Sequence, residues 1–121
     1  PEYRDAGTRG QVELATSPLY HPILPLLRDT DVHLHAHPHS VLPRALFRHP
    51  DDAREQLTRA VRYHSQVFGA RPAGVWPSEG SVSPEVSDLL VQAGLKWFAS
   101  DEGVLARSVG MDLHRDEHGY T

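Results

Sequence analysis

The sequence holds 121 residues, 39% of them hydrophobic. That is enough for one modest core, whereas a complete (β/α)8 barrel takes about 250 residues. Twelve Lys and Arg against sixteen Asp and Glu give a formal net charge of -4, and without a basic cluster this argues against nucleic acid as a partner. There is no cysteine, which excludes disulfides, thiolate metal sites and a cysteine nucleophile.

No apolar run approaches the roughly 18 residues of a transmembrane helix. The opening residues, Pro1 to Gly10, are charged and polar, unlike a signal peptide. The expectation is therefore a soluble, cytoplasmic chain with no membrane partner. It begins without Met on a polar stretch, which suggests a single partial domain, residues 1–121, cut from something longer.

Gln11-Val12-Glu13-Leu14-Ala15-Thr16 alternates polar and apolar side chains with period two and stops at Ser17-Pro18, so it predicts a strand. Ile23-Leu24-Pro25-Leu26-Leu27 is either a short helix with Pro25 in its first turn or a buried extended segment. Residues 29–49 have no sustained period and predict a long connection. The clearest helix follows. Pro50 suits a first helical position, Asp51 and Asp52 favour the positive end of the dipole, and Gly69 offers a left-handed stop. Its expected buried stripe is Ala53, Leu57, Ala60, Val61, Val67 and Phe68.

Ala73-Gly74-Val75-Trp76 then predicts a buried strand ended by Pro77. Ser83 as N-cap, Pro84 behind it and Gly94 at the far end bracket a second helix that contains Leu89, Leu90 and Ala93. Lys96-Trp97-Phe98-Ala99 predicts another buried strand. One or two helical turns are expected near residues 102–109, and the tail from Gly110 to Thr121 is polar. This order describes βαβ units of an α/β fold with a parallel sheet, and right-handed crossovers would set both helices on one side of it.

In parallel sheets and barrels the chemistry collects at the carboxyl ends of the strands. Glu79 falls just beyond the strand ending at Trp76, and Asp101 and Glu102 fall just beyond Ala99. His21 follows the first strand, while Glu13 lies within it, placed to point toward a barrel axis. Acids with aromatics suit carbohydrate better than phosphate. Three have a plainer reading, Glu79 as a solvated loop acid or a carboxylate near a helix N-terminus and Asp101 and Glu102 as helix caps, whereas a carboxylate at Glu13 is costly to bury without a partner. Trp76 and Trp97 read as core residues in preference to sugar platforms. His33-Leu34-His35-Ala36-His37-Pro38-His39 could present imidazoles to a metal, but no carboxylate completes an obvious set, and a solvated loop is the favoured reading. Neither a Walker A pattern, a Gly-rich dinucleotide fingerprint nor a Gly-x-Ser-x-Gly elbow occurs, so no cofactor is expected.

Four blocks, Gly10-Gln11-Val12-Glu13, Ser17 to Leu27, Gly74 to Ser83 with Trp76-Pro77-Ser78-Glu79, and Trp97 to Leu105, together resemble glycoside hydrolase family 57. That family includes α-amylases, 4-α-glucanotransferases and branching enzymes. The resemblance implies a slice of an incomplete (β/α)7 barrel, with parallel strands and flanking helices, acting on α-glucans with retention of configuration. It places the nucleophile on Glu79, and Glu13, His21, Trp76 and Asp101 among the substrate contacts, with no metal. The family's acid/base Asp belongs to a later block, and Asp101 does not match it. The remainder of the catalytic domain is then an expected partner. The rival readings are a metal-dependent polysaccharide deacetylase, with the histidines holding the metal, and a non-catalytic carbohydrate-binding or structural piece.

Overall fold

A computed structural model describes residues 2–119. Its central support is α4, Pro50–Phe68, which begins with proline in the first turn and ends on Gly69 at φ 79°. Only glycine takes that left-handed stop without steric cost. Ala53, Leu57, Ala60 and Val61 are buried along one stripe. Two further helices pack on α4: α2, Leu24–Arg28, with Pro25 in its first turn, and α5, Pro84–Gln92, capped by the Ser83 hydroxyl on the Val86 N–H.

The sheet is small. β1, Gly74–Val75, pairs in parallel with β2, Trp97–Phe98, in the register Gly74 to Trp97 and Val75 to Phe98. On its other side β1 bridges Thr16 in parallel. The spatial order is therefore the order in the chain, with β1 in the middle. Val75 is fully buried in one core with Leu57 and Val61 of α4 and Val86, Leu89 and Leu90 of α5, so both helices cover the same side of the sheet. Residues in parallel register share a face and successive residues alternate. Gly74 and Trp97 consequently lie on the opposite side, and Trp76 with them.

The expected strand over residues 11–16 is reduced to Thr16. Its N–H donates to the Gly74 carbonyl at 3.1 Å, and its own carbonyl accepts from Trp76 N–H at 2.8 Å. A period-two pattern marks an extended chain but does not by itself give that chain a partner. The polar opening forms α1, Glu2–Thr8, which docks on the end of α4 through Arg4 Nε, a donor to the Val67 carbonyl at 3.1 Å.

The last turn of α4 also departs from expectation. There Val67 is exposed and Phe68 half-buried, while His64 is buried instead. An imidazole can sit among apolar groups when a ring nitrogen is satisfied, and His64 Nδ1 lies 3.0 Å from the Ala70 carbonyl. β2 was expected to be buried, yet Trp97 and Phe98 are 42% and 40% exposed. It stands at the edge of the sheet, and Trp97 faces away from the helices.

The long connection carries structure: a 3-10 turn, Thr30–Val32, and α3, His33–Ala36. It leaves and rejoins the body at a pinned neck. Thr30 N–H donates to the Phe47 carbonyl at 3.0 Å, Phe47 N–H donates to the Thr30 hydroxyl at 3.0 Å, and His49 N–H reaches the Leu27 carbonyl at 3.0 Å. Arg48 closes the neck by bonding Asp29, at 3.0 Å, and Asp31. The turns after β2 form α6, Glu102–Val109. The tail beyond it has no regular element among the described residues; Tyr120 and Thr121 lie outside them. No helix among the described residues is long and apolar enough to cross a membrane.

Candidate active site

At the carboxyl end of β1 the chain passes through Pro77 into a tight 3-10 turn, Ser78–Gly80. The turn is fixed from several directions. Gly80 N–H donates to the Pro77 carbonyl at 2.9 Å, Ser81 N–H donates to the Ser78 carbonyl at 3.0 Å, and the Ser100 hydroxyl ties the Gly80 carbonyl to the end of β2 at 2.7 Å. Pro77 and Ser78 are buried beneath it, and the Ser78 hydroxyl has no hydrogen-bond partner among the described residues. Glu79 sits on top at φ 55° and ψ 25°.

A second turn, closed by His21 N–H on the Pro18 carbonyl at 2.9 Å, holds His21 at φ 55° as well. These are the two non-glycine residues with positive φ among those described. Such a conformation costs about 1–3 kcal/mol per residue and persists only where the surroundings impose it. The two strained residues meet. His21 Nε2 lies 3.5 Å from Glu79 Oε1, an ion-pair distance when the imidazole is protonated, and their side chains are 48% and 74% exposed. Two turns from distant parts of the sequence thus offer one acid and one imidazole to the solvent.

Glu13 is held separately. Trp97 Nε1 donates to Glu13 Oε1 at 2.6 Å, and the indole reaches it by crossing directly over Gly74. A Cβ on Gly74 would fall inside the Trp97 ring, so only glycine permits the approach. Glu13 therefore lies on the sheet face opposite the helices, with one oxygen engaged and its side chain otherwise exposed. Trp76 and Trp97 are 44% and 42% exposed on that face. Their expected place in the core is corrected: β1 is too short and its open face too bare to enclose them.

Asp101 caps α6 through Oδ1, which accepts from Gly103 N–H at 2.7 Å, and Glu102 pairs with Arg115. The capping reading therefore holds for Asp101, which keeps its second oxygen, whereas Glu102 stands inside α6 and engages the tail instead. The histidine stretch divides. His33 Nε2 lies 3.0 Å from the Ser40 hydroxyl, and its ring packs 4.8 Å from that of His37. No group of three or more His, Asp or Glu converges as a metal site among the described residues.

Electrostatic tuning is clearest at the neck. The Asp31 N–H above all, joined by Arg48, holds the Asp29 carboxyl below its ordinary value, and the bonds to Asp31 and Asp29 raise the Arg48 guanidinium. At the start of α5 the Glu85 carboxyl is lowered by its own backbone N–H and then by the Ser83 hydroxyl, an arrangement that stabilises a helix N-terminus. The sequence left unnoticed the role of Trp97 beside Glu13, and its only signal was the glycine at position 74. The neck was also missed, because its bonds link residues 17 to 22 positions apart.

These features describe an α/β piece with acids at its strand ends and indoles beside them. The family model for glycosyl hydrolase family 57 matches residues 1–118, and the chain belongs to that family. It is 26% identical over 124 aligned positions to Alpha-amylase 1 of Dictyoglomus thermophilum. That alignment takes in 99% of this chain and about 15% of the length of the relative.

Proposed function

We propose that this chain is the nucleophile-bearing part of a retaining glycoside hydrolase or glucanotransferase acting on α-glucans, a slice of an incomplete (β/α)7 barrel whose other parts complete the catalytic domain. Glu79 is the nucleophile, and the observation that carries the reading is its strained convergence with His21 at the carboxyl end of β1. Family membership and the amylase-named relative support the substrate class.

In a retaining mechanism the carboxylate attacks the anomeric carbon and displaces the leaving oxygen, forming a covalent glycosyl ester. A second carboxyl roughly 5–5.5 Å away protonates that oxygen and later activates water or a sugar hydroxyl. A tight, multiply anchored turn suits the first task, because it fixes the attacking oxygen and lowers the entropy cost of the encounter. His21 borders the site, orients the Glu79 carboxylate and can hydrogen-bond the substrate. Glu13, with one oxygen on Trp97, keeps the other for a sugar hydroxyl or for the positive charge that develops at the ring. Trp76 and the second oxygen of Asp101 are further contacts for the glucan. The proton donor is a separate residue, the family's acid/base Asp of a later block, which Asp101 does not match.

The test is Glu79→Ala in the full-length protein. It is expected to lower kcat by several orders of magnitude, and azide is expected to restore part of the loss by attacking in place of the missing carboxylate. Undiminished turnover would remove the assignment.

The exposed indoles favour a second reading, a non-catalytic glucan-binding surface. Quenching of tryptophan fluorescence by maltooligosaccharide, equal in the native and Glu79→Gln proteins and without hydrolysis by either, would establish it.

A further inference from the structure

A groove of about 380 Å³ borders Glu79, a volume at the low end of small-molecule clefts. Glu79 and Asp101 stand among its walls, His35 and His37 of the histidine stretch line it as well, and Ile23 and Val104 contribute apolar surface. His35 and His37 are exposed, and neither ring has a hydrogen-bond partner among the described residues, unlike that of His33. The pinned neck at Thr30, Phe47 and Arg48 fixes the base of the excursion that carries them. Binding groups on an anchored support hold their positions better than those on a free loop.

The chemistry of the lining selects its occupant. Carboxylate oxygens disfavour an anion, and no three ligands converge for a metal among the described residues. Imidazoles both donate and accept hydrogen bonds, and aliphatic side chains suit the C–H faces of a pyranose ring.

We propose that this groove is a second sugar subsite, which holds a glucosyl unit of the same chain next to the unit attacked at Glu79, with His35 and His37 hydrogen-bonding its hydroxyls. The inference rests on the glycoside hydrolase reading of Glu79 and adds residues that reading does not use. It gives the histidine stretch a task in binding glucan in place of metal.

The test uses the full-length protein carrying Glu79→Gln, so that maltoheptaose can be titrated calorimetrically without turnover. Adding His35→Ala and His37→Ala together is expected to weaken Kd about tenfold, the loss of one or two modest hydrogen bonds. His39→Ala, on the same stretch but outside the groove, is expected to leave Kd unchanged. Replacing both histidines by Gln, which keeps a donor and an acceptor, is expected to recover most of the affinity. This last variant separates sugar binding from a merely structural role and serves if the alanine protein folds poorly. In the enzyme with Glu79 intact, the double alanine substitution should raise KM for maltoheptaose about tenfold and change kcat by less than about twofold.

Absence of maltoheptaose binding, or binding indifferent to both histidine pairs, overturns the inference. If Glu79→Gln itself keeps full turnover, the nucleophile assignment falls, while the dependence of KM on His35 and His37 still decides the fate of the groove.

Discussion

The two sides of this short sheet are held by different physics. On the helix side, Val75 is enclosed by leucines and valines of α4 and α5, and burial alone accounts for the packing. On the other side, Glu13 is fixed by one indole N–H and both tryptophans are open to solvent, while at the carboxyl end of β1 Glu79 and His21 are held in left-handed backbone. Apolar burial is distributed and tolerates local exchange, whereas an open polar face depends on a few directional contacts. The contrast shows where stability and function should separate under substitution.

Leu57→Ala probes the packed side and should have the largest effect on stability. Removing most of a side chain that is 1% exposed is expected to cost about 2–5 kcal/mol. Denaturant unfolding will measure it, and activity per folded molecule should hardly change. A comparable loss of specific activity would mean that the two faces are coupled.

Glu79→Gly probes the turn at the carboxyl end of β1 and should act in the opposite sense. Glycine relieves the positive φ, worth about 1–2 kcal/mol, but loses about 0.5–1 kcal/mol through its freer unfolded chain. A net gain of up to about 1.5 kcal/mol is expected together with loss of activity, the signature of strain kept for function. Reduced stability in this variant would show that the turn is structurally required instead.

The neck should give the smallest effect. The Asp29 carboxyl is depressed below 3.8, so its contribution is fully present above that value and is lost as pH falls through the lower folded one. Amide exchange across residues 30–47 should accelerate over that interval relative to α4, and Asp29→Asn should show the faster exchange already at neutral pH. Exchange that tracks α4 at every pH would remove Arg48 and Asp29 as the closure.

What could be read from the sequence follows the same division. Pro50, Gly69 and Ser83 marked the ends of α4 and α5 correctly, because caps and stops act through neighbours in the chain. Glu79 and His21 could be placed beyond strand ends, but their meeting depends on two turns 58 residues apart and on a backbone conformation that composition does not encode. Trp76 and Trp97 were misjudged, since a short apolar run reveals that one face is buried without revealing whether the other is. α1 was hidden in polar residues with no apolar stripe to expose its period. The neck escaped because Thr30, Asp29 and Arg48 carry no meaning until the chain between them folds back.

The claim that Glu79 forms the covalent bond can be tested by mass spectrometry after incubating the full-length protein with a fluorinated α-glucosyl fluoride that stalls the glycosyl ester. A single added sugar is expected on the peptide containing Glu79, absent in Glu79→Gln. A sugar carried instead by another carboxylate, or turnover of the reagent with no adduct at any stage, would contradict it.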